Sequence, residues 1–158
     1  MRLDHLCDLE LAYREDDDFL DEGFDLVRPY GTEEGTGYGE GDGRASGDRL
    51  RGTVRWSNLP HRRSDAVFMP NLNGSIHSDE GSVVLLTIRG HAVPPVGEEG
   101  VRRQILARIG LEAEAEAYRW MNRSFFVAEG MIELATGKIH LAVYECINEL
   151  VEDAESVG

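Results

Sequence analysis

The chain has 158 residues, one domain's length, with 30 acidic and 16 basic side chains and a formal charge of −14 at pH 7. Hydrophobic residues make up 41%, enough for one core and too many for a disordered chain. The charge repels nucleic-acid phosphates and anionic membrane surfaces, and no apolar run nears the roughly 20 residues that span a bilayer.

The start, MRLDHLCDLELAY, lacks the apolar core and small-residue cleavage site of an export signal. Cys7 and Cys146 form no CxxC pair and read as free thiols. A cytoplasmic protein is the expectation. Lys138 is the sole lysine among the 16 basic residues. That arginine bias fits genome composition and implies no function.

Residues 3–13 alternate, with Leu3, His5, Cys7, Leu9 and Leu11 on one side, and predict a strand. The acidic stretches Glu15-Asp16-Asp17-Asp18 and Asp21-Glu22-Gly23 read as a solvated loop. They lack the Asp-x-Asp-x-Asp-Gly spacing of a calcium loop. Between Gly31 and Gly47 lie seven of the 18 glycines, and those at 35, 37, 39, 41 and 43 recur with period two. The segment reads either as a flexible loop or as an irregular strand lining a space. In the strand, one face is bare backbone and the other carries Thr36, Tyr38, Glu40, Asp42 and Arg44. Neither GxGxxG nor a GxxxxGK[ST] phosphate loop is present.

Leu50, Gly52, Val54 and Trp56 alternate with Arg49, Arg51, Thr53 and Arg55, as in a half-buried strand that Asn58-Leu59-Pro60 breaks. Residues 65–77 read as extended, with Pro70 hinting at an edge or bulge. Asp79-Glu80-Gly81 is a turn, and 82–89 (SVVLLTIR) is the most β-prone run, completing a hairpin. Residues 90–100 read as a loop. In 101–111, Val101, Ile105 and Ile109 fit a helix, while Arg103, Ile105, Ala107, Ile109 and Leu111 fit a strand. Residues 112–118 favour a short helical turn. Residues 124–129 and 138–146 are strands around Thr136-Gly137, the latter alternating Ile139, Leu141 and Val143 against His140, Ala142 and Tyr144. The reading is one all-β domain over 1–148, a single antiparallel barrel of about eight to ten strands with at most one short helix, and a frayed acidic tail over 149–158.

Several segments occur in one order. They are Gly47-Asp48-Arg49-Leu50-Arg51-Gly52 with Val54, then Asp79-Glu80-Gly81, then Tyr118-x-Trp120-Met121-Asn122-Arg123 with Phe125-Phe126-Val127. This order resembles the bacterial β-barrel family catalogued as domain of unknown function 3237, from about Leu3 to about Tyr144. The resemblance implies a single antiparallel barrel and the strand alternative for 101–111. It implies little about chemistry. Where the family usually carries an Asp and an Arg two apart, this chain has Asn71 and Asn73, with Gly74 at a usual aromatic position. Asp42-Gly43 stands at the family's glycine pair, and Glu129 replaces a small or hydroxyl residue.

The candidate chemistry follows from these positions. Glu40 and Asp42 share a face with Tyr38, and paired carboxylates split their pKa values for acid–base work. Asn71, Asn73, Ser75 and His77 share a face, and amides suit orienting a carbonyl or hydroxyl ligand. That face is alternatively solvent, with Leu72 and Ile76 in the core. Arg123 beside Asn122 suits an anion, and Trp56 and Trp120 suit a pocket wall or simply a core. The five histidines are scattered, and no metal site is expected. The expectation is a cavity that binds a small, mostly apolar oxygenated molecule. In its enzymatic form the protein is a cofactor-independent isomerase, dehydratase or cyclase. Glu40 or Asp42 is then the base and Arg123 the anion stabiliser, while Tyr38, Trp56, Asn71, Asn73, His77, Trp120 and Asn122 bind the ligand. The alternatives are a non-catalytic binder and a structural or accessory subunit. A homodimer is expected, because Pro70 and the glycine segment suggest edges in need of cover.

Overall fold

A computed structural model of the chain describes residues 1–14, 24–98 and 100–151. The two acidic stretches between 15 and 23, and the tail from 152 onward, lie outside the described residues. Eleven strands form one sheet: β1 (Arg2–Tyr13), β2 (Asp25–Val27), β3 (Gly35–Ser46), β4 (Gly52–Asn58), β5 (His61–Arg62), β6 (Phe68–Met69), β7 (Asn71–Ser78), β8 (Val83–Val93), β9 (Arg102–Ala113), β10 (Phe125–Glu133) and β11 (Lys138–Ile147). Eight of them close in the order β1, β11, β10, β9, β8, β7, β4, β3 and back to β1, every pair antiparallel. The predicted barrel is therefore observed. The predicted edges are not, because β7 is paired with β4 and β8, and β3 with β1 and β4.

Period-two alternation decides what lies inside. On β4, Gly52, Val54, Trp56 and Asn58 are buried while Thr53 and Arg55 are exposed. On β11, Ile139, Leu141 and Val143 are buried. On β9 the strand alternative holds, with Ile105, Ala107, Ile109, Leu111 and Ala113 buried. Boundaries differ from expectation at three places. β8 runs on through Gly90 to Val93, the extended stretch before Asp79 splits into β6 and β7 around Pro70, and the helical turn expected at 112–118 lies at Glu116–Arg123 because β9 continues to Ala113.

β1 departs from a single alternation. A bulge between His5 and Cys7 inserts Leu6 as an extra residue. Leu3 and His5 are thus exposed, while Cys7, Leu9, Leu11 and Tyr13 are buried. Leu3 and His5 therefore do not share one side with Cys7, Leu9 and Leu11 as the alternation predicts, because the bulge reverses parity midway.

β3 is a strand, and its bare face is the inner one. Gly35, Gly37, Gly39 and Gly41 are buried, while Thr36, Tyr38, Glu40, Asp42 and Arg44 are exposed. Side chains from the neighbours occupy the volume that β3 leaves. A Cβ on Gly41 would stand 2.6 Å from the Trp56 ring and 2.0 Å from the Ala12 carbonyl oxygen. A Cβ on Gly37 would stand 2.2 Å from the Phe24 ring. The Trp56 indole N–H donates to the Asp42 carbonyl at 3.1 Å, tying the ring to β3.

The two ends of the barrel differ. At one end a 3₁₀ helix, Glu116–Arg123, buries Tyr118 and Met121. Asn122 fastens it to the end of β9, accepting from the Ala113 N–H at 2.8 Å and donating to the Ala113 carbonyl at 2.7 Å. At the other end the short strands form a lip, with β2 and β5 pairing to the start of β3, and β6 pairing to β5 and β8. Among the described residues, no helix is long and apolar enough to cross a membrane.

Candidate ligand-binding cavity

A cavity of about 280 Å³ opens at the lip end. Its wall is the last inward layer of the strands: Leu11, Leu72, Ile88, Ala92, Ile105, Ile132, Ile139 and Leu141. Phe24, Leu26, Pro60, Phe68, Pro70 and Leu134 ring the mouth. Three lining side chains are polar, namely Tyr13, Asn58 and Arg103. All three occupy inward positions at the lip ends of their strands, where the parity that buries leucine and isoleucine deeper down buries Tyr13 and Asn58 and leaves Arg103 half-buried.

Tyr13 and Asn58 form one polar spot. The Asn71 backbone N–H donates to Asn58 Oδ1 at 3.0 Å, and Asn58 Nδ2 donates to the Tyr13 hydroxyl at 2.8 Å. This chain fixes which way the amide points. The Tyr13 ring packs edge-on against Trp56, with centroids 4.7 Å apart, and against Phe24 at 6.0 Å. Burial pushes the phenol pKa up to about 12, partly offset by the Asn58 hydrogen bond, so the hydroxyl is neutral at physiological pH.

Arg103 enters from β9, which lies opposite β3 in the closed strand order. Its Nη1 donates to the Ala66 carbonyl at 3.0 Å, and its guanidinium lies 4.8 Å from the Phe68 ring centre. Such a cation over an aromatic face is attracted by the ring quadrupole. Burial, and then the nearby Arg62 charge, holds the Arg103 pKa below its ordinary value. Ala66 has φ of 66°, the left-handed region that alanine adopts at a cost.

The sequence-predicted residues fall elsewhere. Glu40, Asp42 and Tyr38 stand on the outer face of β3 and do not reach the cavity. Arg14 donates to Glu40 at 2.8 Å, and the Tyr38 hydroxyl donates to it at 3.1 Å, which raises the Tyr38 pKa. Asn73 is exposed and accepts from Arg89 at 2.9 Å, while His77 takes a contact from Arg55 at 3.2 Å. The physical reason is the same for both strands. Leu72 and Ile76 claim the core face of β7, and the neighbouring aromatics claim the glycine face of β3. Asn71 contributes through its backbone to the Asn58 amide.

Trp56 is buried beside Tyr13 and outside the cavity lining. Trp120, Asn122 and Arg123 belong to the opposite end, where Trp120 packs against Phe126 at 6.0 Å under Arg49 at 4.9 Å. Asn122 is engaged with Ala113, and Arg123 is exposed. The expected convergence of Glu40, Asp42, Asn73 and Arg123 in one cavity does not occur. Sequence reasoning missed Tyr13, Asn58 and Arg103 as a set. The available signal was parity: each continues its strand's inward register to a polar residue at one end.

No cluster of three or more His, Cys, Asp or Glu side chains suited to a metal occurs among the described residues. Cys7 and Cys146 are free, and burial pushes the Cys7 thiol up to about 12.

No family model matches the chain, and no curated protein matches it significantly. Solved structures do match. A protein of unknown function from Clostridium acetobutylicum superposes with a TM-score of 0.76 at 16% identity, covering 93% of this chain and 100% of that one. A β-barrel-like protein from Acinetobacter baumannii gives 0.75 at 13% identity, covering 91% and 94%. An enzyme from Penicillium herquei gives 0.59 at 14% identity, covering 91% and 92%. At these identities the likeness establishes a shared barrel fold and leaves function to the site.

Proposed function

We propose that the protein binds a small, mostly apolar, oxygenated molecule in the cavity at the lip end. One observation carries this reading: an apolar void of about 280 Å³ whose wall holds Tyr13, Asn58 and Arg103 among otherwise apolar side chains. Ligand sites are built this way, with apolar walls for affinity and a few fixed polar groups for orientation, and this volume sits at their small end. Kinship with the barrel family that the sequence resembles is part of the proposal, supported by the shared barrel fold.

Binding is favoured over turnover. The described lining residues include no carboxylate and no imidazole, so a proton-transfer mechanism based on Glu40 or Asp42 has no base among them. The test is titration with a neutral probe, 2-acetonaphthone, followed by fluorescence and thermal shift. Saturable one-to-one binding with a raised Tm is expected, and Ala92→Leu, which fills the cavity, should abolish it. A wild-type protein that takes up no probe, or an Ala92→Leu variant that binds equally well, would overturn the reading.

A second reading, a homodimer, rests on a different face. Leu3, Leu106, Val127 and Tyr144 line a shallow groove on the outside of the barrel, and Leu106 is 64% exposed. Leu3 and Leu106 are exposed and Val127 and Tyr144 half-buried, and apolar surface grouped in this way suits association. Light scattering over a concentration series should give twice the chain mass, and Leu106→Glu should restore the monomer mass. A monomer at every concentration would exclude it.

A further inference from the structure

The arginines around the mouth are not treated alike. Arg102 is held by Glu98 through two hydrogen bonds of 2.9 and 2.8 Å. Arg62 pairs with Glu33, and Arg63 with Asp65. Arg103, one residue from Arg102, has no carboxylate within ion-pair distance among the described residues. Its partners are the Ala66 carbonyl and the Phe68 ring. This occurs in a chain with 30 acidic side chains for 16 basic ones. Arg103 is half-buried at the cavity wall, so its guanidinium gives up part of its hydration, which an anion or further acceptors would restore. One carbonyl occupies one of five guanidinium N–H groups.

The surroundings deepen the deficit. Arg62, held by Glu33, lies 5.8 Å from the centre of the same Phe68 ring and supplies no counter-charge to Arg103. Its buried Nε–H has no acceptor. The turn that supplies the Ala66 carbonyl is itself built with backbone bonds, Arg63 N–H to the Val67 carbonyl at 2.9 Å and Ala66 N–H to the Arg63 carbonyl at 2.9 Å. Among the described residues, the Arg103 guanidinium is thus anchored at one nitrogen and has no carboxylate partner.

We propose that the cavity's ligand is an organic anion, a small apolar monocarboxylic acid whose carboxylate sits on Arg103 while its apolar body fills the void between Arg103 and the Tyr13–Asn58 spot. This rests on the cavity reading above. A planar carboxylate matches the guanidinium fork, and one such contact suits a single monoanion better than a heavily hydrated phosphate dianion. The net charge of −14 repels anions at long range. Recognition is therefore local to this arginine.

The experiment compares two probes of one shape, 2-naphthoate and the neutral 2-acetonaphthone, on wild type, Arg103→Met and Arg103→Lys by calorimetry at neutral pH. Wild type should bind the acid about tenfold or more tighter than the ketone. Arg103→Met should lose that preference while still binding the ketone, which also reports that the cavity is intact. Arg103→Lys should keep part of the preference, since it retains charge without the fork. Equal affinities for acid and ketone in wild type, or an unchanged preference in Arg103→Met, would overturn the anion proposal and leave the cavity reading standing. Should Arg103→Met not fold, the wild-type preference and the Arg103→Lys partial loss decide the matter. Binding of neither probe by wild type would overturn the cavity reading and this proposal with it.

Discussion

At the closed end of the barrel, inward positions carry Leu6, Leu50, Val84, Leu86 and Phe126, each at most 2% exposed, beneath Met121 of the 3₁₀ helix. At the lip end the same inward register carries Tyr13, Asn58 and Arg103 around a void. The strands run continuously from one end to the other, so alternation alone does not separate them. The separation comes from what covers each end. A helix whose Asn122 grips Ala113 seals one, and short strands that only border an opening frame the other. A sealed end packs to the density of a crystal, while an open one can keep polar groups because a ligand or water can reach them. Experiments that treat the two ends alike should therefore give unlike results.

The largest expected effect is on packing. Phe126→Ala at the closed end should cost about 3–5 kcal/mol of stability, because a filled site cannot collapse around the loss. Ile139→Ala at the cavity wall should fall near or below the low end of the ~2–5 kcal/mol range for such truncations, since its atoms already face a void. Urea denaturation measures both. Equal losses would mean that the cavity wall is packed as tightly as the closed end.

An alkaline titration should come next in size. Cys7, in the inner half of β1, is raised from 9.0 to about 12, and Tyr13, at the lip, from 10.0 to about 12. Both groups are kept neutral by burial, so the unfolded chain loses these protons first. Stability should be flat through neutral pH and fall as pH rises from about 9 toward 12. The two groups together are worth a few kcal/mol, on the order of 2 kcal/mol or more each. Tyr38, through its Glu40 hydrogen bond, and Tyr144, through burial and then Glu129, are raised as well, so each substitution is read as a difference from wild type. Tyr13→Phe should make the fall above pH 10 shallower, and Cys7→Ala should remove the component that runs from about 9 to about 12. A fall that survives both substitutions would place its origin elsewhere.

How far the sequence discloses this contrast depends on the strand. β4 and β11 alternate cleanly, and their inner faces follow from reading every second residue. β1 misleads because a bulge at Leu6 flips its parity, and no sequence rule places a bulge there. β3 shows the limit in another form. Its inward face has no side chains from Gly35 to Gly43, so neither face offers an apolar set to assign to the core. The outer set of Thr36, Tyr38, Glu40, Asp42 and Arg44 is uniformly polar, and in a closed barrel that is the signature of solvent. For Arg103 the alternation itself was visible. What no alternation reveals is which end a helix seals, and hence whether a terminal inward arginine meets packed leucines or an opening.

A pair of identical enlargements should then separate the ends by sign. Ala45 is fully buried between packed strands, and Ala45→Leu should destabilise by about 1–3 kcal/mol through overpacking. Ala92 faces the cavity, so Ala92→Leu has room and should change stability by less than about 1 kcal/mol or raise it. The discriminating quantity is the difference between the two midpoints in urea. A cost at Ala92 as large as that at Ala45 would mean that the void does not exist in solution.

The smallest expected effect concerns the carboxylates that the sequence singles out. Glu40 and Asp42 stand on the solvent side of β3, and Glu40 is engaged with exposed Arg14 and Tyr38. Exposed ion pairs of this kind contribute little. Glu40→Gln and Asp42→Asn should each shift Tm by less than about 2 °C and leave probe affinity unchanged. Had these acids turned inward, Asp42→Asn would instead have removed a buried charge close to Trp56, whose indole is bound to the Asp42 carbonyl, and both stability and binding would move together. A loss of binding in Asp42→Asn without a change in Arg103→Met would reverse the assignment of the β3 faces and move the polar pole of the cavity from β9 to β3.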